Sequence, residues 1–293
     1  MTMSAKSLHL RLPATSANLG PGFDALGLAM AFYLTIDAEG RNADLCGDAA
    51  TSLILGTYSG VLSEHGRPVA PLHLKLNNEI PLGMGCGSSA AALLAGVLLA
   101  NYFGDLHWTD QQILEEACRR EGHPDNVAAC YLGGMTASTS NECRVVTASC
   151  GKSLNWNLFV ALPSASLATE KARALLPPGY SRADIVANIQ STALLVAAFA
   201  LDRGDLLRTA MRDRIHQPYR MEACPLLGRL LPLVDTAGVL GVALSGAGPS
   251  VLIIAEKEAA RSLPSIIQEA AGDPDLEIIQ TSIAEGAYVR KLS

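Results

Sequence analysis

Apolar and polar positions alternate from Leu8 to Leu12, the pattern of a strand with one buried face. The stretch that follows, Pro13 to Gly22 (PATSANLGPG), is too punctuated for helix or strand and reads as a structured loop. Alternation returns at Leu72–Leu76. It gives way to glycines at 83, 85 and 87, then Ser88-Ser89, then an Ala/Leu run to about Phe103. Serine caps helices and Ala and Leu propagate them, so this reads as strand, glycine loop, buried helix. Thr109 with Gln112 predicts a capping box opening a helix that ends near Gly122; Ser181 with Asp184 predicts a second, running to about Leu201. Leu206 to about Tyr219 reads as one further helix. Gly238–Ala255 reads as strand, tight glycine turn, strand, because β-branched residues flank the glycines. Strands and helices come in mixed order, which predicts α+β layers and not a doubly wound sheet. A weak boundary near residues 150–160 divides the chain into 1–153 and 154–293.

Composition narrows the function. Hydrophobic residues make up 49% of the 293 and charged residues 17%, a globular balance with a rich, mostly aliphatic interior. The net charge of −6 and the absence of basic runs exclude a nucleic-acid groove, which needs clustered Lys and Arg. Seven cysteines lie scattered with no C-x-x-C pair and no zinc spacing, so free thiols in the cytoplasm are expected. The N-terminus carries no apolar stretch of secretory length. Ile80–Gly104 is free of charge, but its strong apolar run, Ala90–Ala100, is too short for a membrane span, so no membrane partner is expected.

Three segments carry candidate chemistry. In Pro81–Ala91 (PLGMGCGSSAA), glycines at alternate positions let backbone N–H groups turn inward, and the next helix aims its dipole at the same spot. That arrangement suits a triphosphate without Lys or Arg; equally, the glycines could serve only close helix packing. No lysine lies between Lys75 and Lys152, so this is not the G-K-[ST] phosphate loop. In Glu121–Asn126 (EGHPDN), Glu121 could complete an oxygen shell for magnesium, and His123, Asp125 and Asn126 could meet a polar substrate. The alternative is a polar helix connection turned by Pro124 and capped by Asp125. Leu244–Ser250 (LSGAGPS) could approach phosphates, brace the first loop, or simply turn a hairpin.

Together these segments resemble the GHMP kinases. Their central motif, a proline and then G-x-G-S-S-A-A, is matched by Pro81 and Gly85–Ala91, with Cys86 where leucine is usual; their late glycine turn is matched by Ser245–Pro249. Within that superfamily the chain is most similar to the homoserine kinase branch. Pro13–Gly27 matches its N-terminal signature, and 121–127 (EGHPDNV), Thr169-x-x-Ala-Arg173 and Gln217-Pro-x-Arg220 match further strings. The P-G-K start of mevalonate-type members is replaced by Pro13-Ala-Thr15, and the acidic sugar-binding string of galactokinases is absent.

The resemblance implies a two-domain GHMP fold: an N-terminal ribosomal-protein-S5-like α/β domain that binds ATP, a ferredoxin-like α+β domain after it, and an active site in the cleft between them. It implies an ATP-dependent kinase for L-homoserine. Pro81, Leu82, Gly83, Met84, Gly85, Cys86, Gly87, Ser88, Ser89, Ala90 and Ala91 would lie on the triphosphate, with Ser89 and Glu121 at Mg2+. Asn18, Asp24, His123, Asp125, Thr169, Arg173 and Arg220 would surround homoserine, and His123, Asp125 and Asn126 would lie nearest the chemistry, with the general base left open. The residue types agree, since Asp24 suits an ammonium and two guanidinium forks suit a carboxylate. The rival expectations are another GHMP small-molecule kinase and a catalytically silent ligand-binding regulator. A homodimer is the expected assembly, although no residue marks its interface.

Overall fold

The structure is a computed structural model that describes residues 6–40, 49–141 and 144–292. Its first strand, β1 (Ser7–Ala17), alternates buried and partly exposed residues through Leu8, Leu10 and Leu12, then stays buried to its end. The expected loop therefore starts later than Pro13. Ala14–Ala17 pair with β2 (Leu26–Gly40), and the register shifts between Pro13 and Ala14, an irregularity that tolerates a residue with no N–H to donate. The true loop begins at Asn18, where the chain turns left-handed: Asn18, Leu19 and Asp24 have φ of 70°, 50° and 55°. Such angles are uncommon outside glycine and mark a constrained segment.

The first sheet adds β3 (Leu72–Asn78), β4 (Met135–Asn141), β5 (Arg144–Cys150) and the last strand, β10 (Tyr288–Leu292). Its order is β10-β1-β2-β4-β5, with β3 also paired to β2. The second sheet is antiparallel, in the order β7-β8-β6-β9, from β6 (Asn157–Leu162), β7 (Val239–Leu244), β8 (Val251–Ala255) and β9 (Glu277–Ser282). A cut at 153/154 falls between the sheets in sequence, yet β10 crosses back to pair with β1.

On the first sheet pack α2 (Ser88–Phe103), α3 (Asp110–Glu121) and α4 (Asp125–Leu132), with α1 (Ala49–Glu64) against α2. The capping box of Thr109 and Gln112 is present at α3. All of Ala90–Ala100 is buried in α2, which explains the charge-free run as a core helix. In the second half come α5 (Thr169–Ala174), α6 (Arg182–Ala200), α7 (Leu207–Ala210), α8 (Gln217–Arg220), α9 (Pro225–Leu230) and α10 (Leu263–Ala271). One continuous apolar core joins β1, β2 and α2 to β6, β8 and α6; a second lies between the other face of the second sheet and α9 and α10.

The single helix expected over 206–219 is instead two short ones, α7 and α8. Asp213 breaks it: its carboxylate accepts the backbone N–H groups of Ile215, His216 and Gln217, starting a new helix, and Pro218 sits in that first turn. Among the described helices, α6 alone has the length and apolarity of a membrane span, with a mean hydropathy of 1.5. It is docked on the fold, with Leu195, Ala198 and Phe199 in the core and Asn188 and Thr192 both donating to the Pro21 carbonyl.

Candidate active site

The glycine loop enters α2 with Gly83, Gly85 and Gly87 at φ of 69°, 75° and 73°. A side chain at any of them is strained on backbone grounds alone. Space adds a second reason, which separates the two readings left open by the sequence. A Cβ on Gly85 would strike the Ser245 carbonyl in the turn between β7 and β8, and one on Gly87 would strike the Thr15 hydroxyl. Close packing is therefore one purpose of these glycines. The Ser245 hydroxyl donates to the Gly85 carbonyl (2.7 Å) and the Thr15 N–H to the Cys86 carbonyl (3.0 Å). The late glycine turn braces the first loop. What remains is a rigid loop at the N-terminus of a long buried helix, the geometry of an anion cradle.

Beside it, the Ser89 hydroxyl donates to Glu121 Oε2 (3.1 Å), joining the first turn of α2 to the last residue of α3. Burial pushes the Glu121 carboxyl up, against the pull of His123 and the Ser89 hydrogen bond, with Asp125 adding to the rise. A half-enclosed carboxylate and hydroxyl, both hard oxygen donors with no cationic side chain bonded to them, fit a magnesium ion. One turn on, His123 Nδ1 meets Asp125 Oδ1 at 2.6 Å. Burial works against a charged His123, but the Asp125 hydrogen bond and charge, helped by Glu121 and Asp24, raise its pKa overall. Asn126 faces inward too, its Oδ1 accepting from Thr15 (2.8 Å).

The opposite wall comes from the second half. Arg173 on α5 grips Asp24 with two parallel hydrogen bonds (2.8 and 2.9 Å), so the acid and one of the two forks are paired with each other. Arg220 on α8 is different. A lone arginine is normally a surface residue, yet this one is 2% exposed and has no carboxylate within bonding distance among the described residues. Burial and the Arg173 charge hold its guanidinium below the usual value, against the pull of Asp24, Cys224 and Asp213. Asn18 donates to the Gly246 carbonyl and accepts from the Asp24 N–H, which fixes the loop that carries Asp24. A cavity of about 140 Å³ is lined by Asn18, Asp24, Pro81, Gly83 and Gly85–Ser89 of the glycine loop, Glu121, His123, Asp125, Asn126, Arg173 and Arg220.

Some named residues lie elsewhere. Leu82 is more than half exposed, and Met84, Ala90 and Ala91 pack in or against the core. Leu82, Met84, Ala90 and Ala91 are not among the cavity lining. Thr169 opens α5, but its side chain lies outside the described residues, as do Cys46 and Cys143. Sequence reasoning missed Phe23, whose ring centre is 5.4 Å from the Arg173 guanidinium and 5.5 Å from that of Arg220, and also Thr15 and Ser245; both hydroxyls sit inside the quoted motifs, which was the available signal. Asp24, His123 and Asp125 bring ligand atoms within 4.8 Å of one another; the existing bonds to Arg173 and within the His–Asp pair already occupy them.

The chain matches the family models for the GHMP kinases N-terminal domain over residues 52–134 and the GHMP kinases C-terminal region over 195–272. It is 47% identical over 272 residues to a homoserine kinase of Solibacter usitatus, covering 88% of each chain. The chain belongs to the GHMP kinase family, in its homoserine kinase branch. A homoserine kinase of Synechocystis is 36% identical, with 98% of this chain and 99% of the relative covered. Among solved structures, homoserine kinase from Cytophaga hutchinsonii superposes with a TM-score of 0.84 over 99% of each chain, at 24% identity. The two-domain GHMP fold and the α+β architecture expected from sequence are those observed. GHMP kinases use ATP as phosphoryl donor.

Proposed function

We propose that this chain moves the γ-phosphoryl group of ATP onto the side-chain hydroxyl of L-homoserine, giving O-phospho-L-homoserine for threonine biosynthesis. The observation that carries the reading is the one cavity that sets a glycine anion cradle against Asp24, Arg173 and a buried, acid-free Arg220. An α-amino acid is a zwitterion. Its ammonium would take over Asp24 and its carboxylate would take over Arg173, so the resident ion pair is exchanged and no charge is left unpaired. Arg220 then supplies a second fork. Asn18, Thr169 and His123 complete the proposed substrate shell.

Phosphoryl transfer through a loose transition state needs placement and charge neutralisation more than covalent chemistry. Ser89 and Glu121 would hold Mg2+, which neutralises phosphate charge when bound. His123, its pKa raised by Asp125 with help from Glu121 and Asp24, would lie beside the transferring phosphoryl group. Asp125 holds that imidazole, and Thr15 holds Asn126. No dedicated base is required by this arrangement.

The proposed division is 1–153 and 154–293 with the active site between, β10 being shared with the first half. The cytoplasm is the proposed compartment, in keeping with five described cysteines that are all free. A homodimer is proposed through the exposed apolar stripe Ile185, Val186 and Ile189 on α6, a surface whose best match in water is a second apolar stripe. A coupled ADP-release assay over hydroxyl-bearing amino acids and mevalonate tests the activity. Turnover confined to homoserine is expected; preference for mevalonate, or none with any acceptor in the presence of magnesium, overturns it.

A further inference from the structure

We infer that His216 is a positioning residue, which aims Arg220 at the substrate through a tautomer fixed by its surroundings. The inference rests on the reading of the cavity as a homoserine site. His216 is fully buried, at the residue before α8. Its Nδ1 lies 3.1 Å from Arg220 Nη1, and its Nε2 lies 2.7 Å from the Gly20 carbonyl oxygen. A guanidinium has only hydrogens to offer, so Nδ1 must be the bare nitrogen. Nε2 then carries the proton and donates it to Gly20. Neutral imidazole with the proton on Nε2 is the one form that satisfies both neighbours; burial and the Arg220 charge favour that neutral ring and prevail over the Asp213 carboxylate, 3.6 Å from Nε2, the Gly20 bond and Asp24.

The consequence lies in what Arg220 has left. Its Nε donates to the Ala172 carbonyl (3.1 Å) and its Nη1 to His216, with Gly246 at 3.5 Å. Among the described residues Nη2 has no acceptor, in a residue that lines the cavity. Three neutral acceptors thus hold the fork by two of its nitrogens and turn the third toward the ligand. A carboxylate in place of His216 would neutralise the guanidinium and compete with substrate; an imidazole orients it and leaves its charge available. The ring is itself fixed: Asp213 anchors the backbone of α8 at Ile215, His216 and Gln217, and the Phe23 ring lies against it at 5.4 Å. The same His216 ties α8 to the signature loop at Gly20, four residues before Asp24.

Two conservative replacements separate orientation from propping. In His216→Asn the amide oxygen can stand where Nδ1 stands and still accept from Arg220, but the reach to Gly20 is lost. In His216→Gln the amide nitrogen can stand where Nε2 stands and still donate to Gly20, but the acceptor for Arg220 is lost. Steady-state kinetics with homoserine and ATP, and melting temperature, are measured for both. The expected result is a homoserine KM raised about 10-fold in His216→Gln and held within about 3-fold in His216→Asn, with ATP KM unchanged in both. The reverse ranking, equal KM in the two variants, or loss of the fold in both makes the imidazole a prop and overturns the inference. Failure of the wild-type chain to phosphorylate homoserine is a separate outcome, which removes the proposed function first and this inference with it.

Discussion

The two ends of the cavity offer opposite means of recognising charge. At the proposed phosphate end the means is backbone: three left-handed glycines and a helix N-terminus, with no basic side chain in the loop. At the proposed substrate end it is side chains brought from distant segments: Asp24 from the loop after β1, Arg173 from α5 and Arg220 from α8. A backbone cradle is rigid because it is packed, and a mutation there damages the fold. A side-chain site is adjustable, and a mutation there changes affinity. The sharpest way to break this contrast is to find a glycine variant that folds normally or a charge variant that does not.

The largest effect is expected at Gly85. In Gly85→Val a branched side chain must occupy left-handed backbone and displace the Ser245 carbonyl. Backbone strain and overpacking together should cost about 2–5 kcal/mol of stability. Urea unfolding measures it. A variant that unfolds like wild type but has lost ATP affinity would make the loop a ligand contact alone and erase its bracing role.

Next comes Glu121→Ala. The carboxylate is at the end of α3 and its recorded hydrogen bond is to Ser89, so its removal should leave the melting temperature nearly unchanged. Turnover should fall on the order of 100-fold or more, because the proposed Mg2+ loses its acidic ligand. Near-normal kcat at saturating magnesium would move the metal elsewhere and place Glu121 with the packing residues.

This contrast also explains what the sequence could disclose. The glycine loop, its serines and the EGHPDN string are local, and local spacing carries local geometry; candidate chemistry for both segments could be put forward before any fold was known. The packing of Gly85 on Ser245 is invisible in that spacing, since the two are separated by most of the chain and meet only when β7 and β8 return to the first loop. The same is true of Arg220. Its residue type argues for the surface, and only its burial behind α5, with no acid partner among the described residues, makes it a candidate for a ligand's charge. The helix misread over 206–219 has a similar origin: apolar periodicity continues through Asp213, and the carboxylate that restarts the helix acts through bonds that periodicity does not encode. The pairing of β10 with β1 joins opposite ends of the sequence and leaves no local trace at all.

The two arginines give a third prediction inside the substrate end. Arg→Lys keeps the charge and loses the fork. At Arg220 the lysine must bury its ammonium among carbonyls set for a guanidinium, so the homoserine KM should rise about 10- to 100-fold, roughly 1.4–2.8 kcal/mol. At Arg173, which is 44% exposed and paired with Asp24, water and Asp24 soften the change, and a smaller rise is expected. ATP KM should stay within a few-fold in both. A larger penalty at Arg173 than at Arg220 would mean that the buried guanidinium is structural and the exposed one alone reads the carboxylate.

The smallest effect, and the most specific, is expected of Asp24→Asn. Asp24 is one-third exposed and its carboxylate is held by Arg173, so the amide should preserve the loop, whose shape depends on the Asp24 N–H bonded to Asn18. Two consequences then oppose each other. The substrate ammonium loses its counter-charge, and Arg173 is released to meet the substrate carboxylate without first breaking an ion pair. For homoserine the first should prevail, raising KM about 10-fold, near 1.4 kcal/mol. For 4-hydroxybutyrate, which has the carboxylate and the hydroxyl but no amino group, only the second applies. Its affinity, measured as substrate or as competitive inhibitor, should hold or improve in the variant. A fold defect would weaken both ligands alike, and a site in which Asp24 serves merely to anchor Arg173 would also weaken both, because the freed fork would lose its aim. Opposite signs for the two ligands are what ion-pair exchange requires. An unchanged preference between them would show that the ammonium is read by another group, and the assignment of an amino-acid substrate to this cavity would lose its chemical basis.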